Sequence, residues 1–147
     1  MTLASTMVRV ITRREEKLRA EMATLARAIA ASRDGLAVLD ETIAAVERRA
    51  RDNANSRFAE GPRSVAALLE IERNSSSLLA GRAELETMRE RSRQTLATLA
   101  DQQRALSKKW RKEDTRLAHV AVLARRQRVL ADVRQTDADD EAFAERR

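Results

Sequence analysis

Cysteine is absent from the 147 residues. That excludes a disulfide framework and any thiolate metal site, and it fits a reducing compartment. Aromatic residues make up 2%, with no tyrosine, so a globular core of ordinary size would lack its bulky fillers. Proline occurs once, at Pro62, and glycine three times. The three glycines are isolated, so no phosphate-cradling loop can be built from them. The single histidine is His119; one imidazole beside basic neighbours is expected at a seam edge or on the surface rather than in a catalytic or metal site. Adjacent carboxylates such as Glu15-Glu16 and Asp139-Asp140 do not face each other on a helix, so they do not converge on a substrate. No enzyme activity and no cofactor are expected.

Long apolar runs are missing too. Residues 1–14 contain no continuous apolar core of a signal peptide. The weakly polar run over residues 118–124 is far too short to span a bilayer. A soluble, cytoplasmic protein is the expectation.

What is abundant is charge, at 35%, together with alanine, leucine, arginine and glutamate, the composition of long helices. In the first half one seam runs through Ala4, Val8, Ile11, Glu15, Leu18, Met22, Leu25, Ile29, Ser32, Leu36, Leu39, Ile43, Val46 and Ala50. Its steps alternate four and three without a slip, which specifies a coiled-coil stripe facing a partner helix. Glu15 and Ser32 are polar exceptions of the kind that fix register at some cost in stability. Asp34-Gly35 is a turn signal. The seam nevertheless keeps phase across it, so the spacing predicts a continuous helix over 4–59.

The pattern breaks at Glu60-Gly61-Pro62, where glycine suits the position after a helix and proline cannot continue one. Ser64 is a candidate cap for a short amphipathic turn carrying Val65, Leu68, Leu69 and Ile71. Asn74-Ser75-Ser76-Ser77 interrupts again, with Ser77 a second candidate cap. A second helix is expected over 78–134, through Leu78, Leu85, Met88, Leu96, Leu99, Leu106, Trp110, Leu117, Val120, Leu123 and Leu130. Its phase slips at Met88–Ser92–Leu96 and at Leu117–Val120–Leu123, which would locally rewind a supercoil. A flexible acidic tail is expected over 135–147.

The two expected helices have nearly equal reach, about 85 Å each at 1.5 Å per residue. The fold class is therefore all-α: a long antiparallel two-helix coiled-coil hairpin, monomeric, with a short helical apex over 60–77. A homodimeric spacer is the competing arrangement.

Formal net charge is +6, and the basic residues cluster. One cluster is Arg9, Arg13, Arg14, Lys17 and Arg19; another surrounds Trp110; a third is Arg125, Arg126 and Arg128. The hairpin brings the first and third together at the end carrying both termini. They form either a solvated flank or a docking end for an acidic ring, groove or nucleic acid. Trp110 falls on the hydrophobic register, and one aromatic is no stacking platform, so nucleic-acid binding is not the leading expectation. Phe58, Val65, Leu68, Leu69 and Ile71 either close the tip or offer an apolar patch to a partner.

The segment Arg13-Arg14-Glu15-Glu16-Lys17-Leu18-Arg19-Ala20-Glu21-Met22-Ala23-Thr24-Leu25-Ala26, and the end from Arg125-Arg126-Gln127 through Asp139-Asp140-Glu141, resemble the type III secretion stalk proteins. These are the SctO/YscO proteins and their flagellar relative FliJ. The resemblance covers the whole chain and rests on length, composition and periodicity. It implies a stalk similar to the γ subunit of rotary ATPases, with the paired termini in the pore of a hexameric secretion ATPase. The tip would reach an export-gate protein in the membrane, and secretion chaperones would bind as well. The ATPase end would be formed by Val8, Ile11, Arg13, Arg14, Arg125, Arg126 and Arg128, and the gate contact by the residues from Phe58 to Ile71. The alternative function is a coiled-coil adaptor or chaperone, or a nucleic-acid-associated scaffold.

Overall fold

A computed structural model describes residues 3–58 and 63–144; Ala4, Ala142 and Phe143 are described only in their backbone. The chain is a two-helix hairpin. Helix α1 spans Leu3–Asn55, a 3-10 turn spans Ser56–Phe58, and helix α2 spans Val65–Ala144. No strand occurs among the described residues. The Glu60-Gly61-Pro62 break lies outside the described residues.

The α1 seam holds as its spacing predicts. Every seam residue from Val8 to Ala50 is buried or half-buried, with exposed residues between most of them. Gly35 sits inside the helix, and a Cβ added there would meet nothing within 4 Å. The same is true of Gly81 in α2. Gly35→Ala and Gly81→Ala are each expected to stabilise the protein by about 0.5–1 kcal/mol, since alanine loses less backbone entropy and meets no clash. Thermal unfolding of the two variants checks this; a lower melting temperature for either would contradict it.

The second helix differs from the sequence expectation in three ways. It begins at Val65, not residue 78, so the described residues 65–77 of the expected apex are the first turns of α2 and not a separate helix. Ser64 does cap it: Ala67 N–H donates to Ser64 Oγ at 3.2 Å. The serine run does not break it, because these hydroxyls find partners without leaving the helix. Ser76 Oγ donates to the Glu72 carbonyl at 3.1 Å, and Ser75 Oγ accepts from Asn53 Nδ2 at 2.7 Å. Ser77 is an exposed interior residue, not a cap. The helix also runs through the acidic segment to Ala144, where a flexible tail from residue 135 was expected. The two helices are therefore unequal, 53 and 80 residues.

Third, the α2 seam does not slip. The buried and half-buried positions include Ile71, Ser75, Leu78, Arg82, Leu85, Arg89, Ser92, Leu96 and Leu99, then Leu106, Trp110, Glu113, Leu117, Val120 and Ala124. With exposed Gln103 completing the register, four and three alternate throughout. Met88, Leu123 and Leu130, counted as seam residues from their hydropathy, are 52%, 53% and 57% exposed. Arg89 and Ala124 take the seam positions beside Met88 and Leu123; the aliphatic stem of an arginine can cover a seam while its charged head reaches the edge.

Packing divides the hairpin into two compact units: Met1–Thr24 with Gln103–Arg147, and Leu25–Gln102. In the second, Arg89 pairs with Asp40 at 3.5 Å and Arg82 with Glu47 at 3.0 Å. Asn53 Nδ2 donates to the Ile71 carbonyl at 2.8 Å as well as to Ser75. As α1 ascends α2 descends, so the helices are antiparallel. These half-exposed ion pairs contribute little energy each; their value lies in fixing register. Ile29, Ile43 and Ile71 supply this unit's buried apolar side chains, and Ile11 and Ala124 those of the other.

Candidate functional site: two charged and apolar surfaces

The unit formed by Met1–Thr24 and Gln103–Arg147 carries a polar seam. Glu15 is 6% exposed, and Arg19 Nη2 reaches its Oε1 at 2.6 Å one turn on. The Arg19 guanidinium also lies 5.9 Å from the centre of the Trp110 ring, within cation–π range. Trp110 thus belongs to the helix interface, as its register predicts. Its Nε1 and Glu113 Oε2 are buried without hydrogen-bond partners, while Glu113 Oε1 accepts from Arg116 at 2.8 Å. An unsatisfied buried polar atom costs on the order of 1–3 kcal/mol, so this seam is held less favourably than an apolar one.

The residues expected at the ATPase end are placed unequally. Arg13, Arg14, Arg125, Arg126 and Arg128 are all exposed. Ile11 is buried at 8% and Val8 is half-buried; both belong to the α1 seam. On α1 the exposed apolar residues there are Leu3, Met7 and Val10, at 80%, 46% and 44%. They stand off the heptad seam, so the spacing of apolar residues does not single them out. With Arg14, Glu113 and Arg116 they line an open groove between the helices. A second groove, with Arg14, Lys17 and Glu21 on α1 and Lys109, Lys112 and Arg116 on α2, is strongly basic. From Arg125 onward every described side chain of α2 is exposed.

In the other unit Ile71 is 7% exposed and closes the hairpin near its turn. Phe58, Val65, Leu68 and Leu69 are 86%, 74%, 42% and 50% exposed. Of the five expected apex residues, one therefore closes the tip and four stand in solvent. An open groove of about 720 Å³ lies between the helices near Val46, Leu78 and Arg82.

His119 is exposed. Among the described residues no group of three or more histidine, aspartate or glutamate side chains is placed to hold a metal ion. No described helix is long and apolar enough to cross a membrane. What the arrangement offers is surface: a basic groove beside an apolar one in one unit, and an exposed apolar turn in the other. No family model matches the chain, and no curated protein or solved structure matches it.

Proposed function

We propose that this protein is a non-enzymatic central-stalk component of a type III secretion export apparatus. The unit that contains both chain ends docks into a hexameric secretion ATPase, and the turn after α1 contacts the export gate. The observation that carries this reading is the exposed basic set on both helices of one unit, Arg13 and Arg14 on α1 with Arg125, Arg126 and Arg128 on α2. A ring lumen lined with carboxylates would attract such a surface. Two dissimilar helices cannot satisfy six equivalent subunits at once, so docking would bias assembly or the order of hydrolysis. The apolar part of that contact falls to Leu3, Met7 and Val10, because Val8 and Ile11 face the seam. Phe58, Val65, Leu68 and Leu69 form the gate contact.

The test is co-purification with the hexameric secretion ATPase and its hydrolysis rate with and without this protein. Wild type is expected to form a stable complex and raise the rate. Arg13→Glu, Arg14→Glu, Arg125→Glu and Arg126→Glu combined are expected to return it to the unstimulated value; unchanged stimulation would sink the docking mode. The exposed apolar turn favours a second reading, a coiled-coil adaptor or chaperone. Loss of ATPase binding with retained capture of secretion substrates through Phe58 and Leu69 would select it. A nucleic-acid scaffold would instead bind DNA with steep salt dependence.

A further inference from the structure

Beyond Val120 the larger described apolar residues of α2 leave the seam. The seam continues through Ala124, Gln127, Ala131 and Arg134, which offer a partner helix little to bury. Val122, Leu123, Val129, Leu130 and Val133 are 52%, 53%, 55%, 57% and 48% exposed. At 100° per residue they fall in one sector about 120° wide, centred about 120° around α2 from the seam, with Leu123 and Leu130 on the edge nearest it. Arg126 lies within that sector, where its stem extends the apolar strip.

The same sector is charged with opposite signs on either side. Towards the C-terminus it carries Asp137, Asp140 and Glu141, all exposed. Towards the N-terminus it contains Lys112 and is bordered by Arg116, about 20° beyond its edge at 100° per residue; both share the basic groove with Arg14, Lys17 and Lys109. The order along the helix is basic, apolar, acidic. Each charged end lies about 15–25 Å from the middle of the apolar strip, near residues 127–128, at 1.5 Å per residue.

A face with that order complements itself when turned end for end. We propose that the apolar strip of α2 is an interface for a second copy of this chain, paired antiparallel about a two-fold axis near residues 127–128. The acidic triad of each copy lies over Lys112, Arg116 and the basic groove of the other. Val122 and Leu123 meet Val133, and Val129 and Leu130 pack across the axis. Such an isologous contact uses every part of the face twice. An anionic membrane or a nucleic acid would match the basic end and be repelled by Asp137, Asp140 and Glu141 beside it. The interface covers Arg126, so self-association competes with ring docking without depending on it.

Sedimentation equilibrium of the full chain tests the proposal. At low salt the mass is expected to rise with concentration from 16.5 kDa towards twice that value, and to fall back at high salt as the charge pairs are screened. The combination Asp137→Lys, Asp140→Lys and Glu141→Lys is expected to be monomeric, and so is Lys112→Glu with Arg116→Glu. Mixing the two variants is expected to restore a mass near twice the monomer, because both charge contacts become complementary again. Circular dichroism shows whether each variant remains helical. A monomeric wild type at all concentrations overturns the proposal, as does a dimer unaffected by either reversal or a mixture of helical variants that stays monomeric.

Discussion

Ile43→Ala is expected to lower the unfolding free energy by about 2–4 kcal/mol, the range for removing a buried isoleucine side chain and leaving a partly relaxed void. Ile43 is 4% exposed, the lowest value among the buried apolar residues. Asp40 and Glu47, one turn to either side on α1, pair with Arg89 and Arg82 on α2, so the backbone around the void is held and cannot easily collapse. The buried apolar set is small, and no described side chain falls below 2% exposure. Two helices enclose a narrow stripe and no more. Domain stabilities amount to about 5–15 kcal/mol in total, so one isoleucine is a large share. Val38→Ala, at a position 61% exposed, is expected to change stability by no more than about 0.5 kcal/mol. Urea midpoints for the two variants decide the matter; equal midpoints would mean that the seam is not the core.

Arg19→Ala is the second large effect, with an expected loss of about 1–3 kcal/mol. Removing one partner of a buried pair leaves the other desolvated and uncompensated, a cost usually of about 3–5 kcal/mol. The smaller figure applies because the Arg19 side chain is 65% exposed, although that of Glu15 is 8% exposed, and solvent screens the exposed end. The cation–π contact with Trp110 is lost as well. Glu15→Leu should instead be neutral or stabilising, because leucine fills a seam position without a desolvation cost. In the Glu15→Leu background Arg19→Ala should then cost little. A double-mutant cycle by chemical denaturation measures the coupling; additive effects would mean that the ion pair contributes nothing.

The α1 seam was legible because nearly all its positions are apolar and their spacing alone reports the buried face. Glycine at position 35 did not obscure it, since phase outweighs a cost of about 1 kcal/mol. The α2 seam is not legible from hydropathy, for a definite reason. Hydropathy selected Met88 over Arg89 and Leu123 over Ala124. Each choice moved the register by one residue and created a slip where none exists. An arginine with an apolar stem and a carboxylate waiting on the opposite helix cannot be recognised from its own sequence neighbours. The serine run failed in the same way. Ser75 is kept in the helix by Asn53, 22 residues away, and local propensity carries no word of that partner.

The candidate surfaces divide similarly. Clusters of arginine are visible as letters, and the structure leaves Arg13, Arg14, Arg125, Arg126 and Arg128 exposed as expected. Val8 and Ile11 stand out as hydrophobic letters beside those arginines, and the structure places both in the α1 seam, Ile11 buried and Val8 half-buried. The sequence by itself determined that this chain is helical, that it turns once near its only proline, and which stripe of α1 is buried; these follow from local periodicity and backbone sterics. Tertiary structure decided where α2 begins, which of its polar residues enter the seam, and which apolar residues remain in solvent. Those outcomes depend on what stands across the interface, and a side chain's burial is settled by its partner as much as by its own hydropathy.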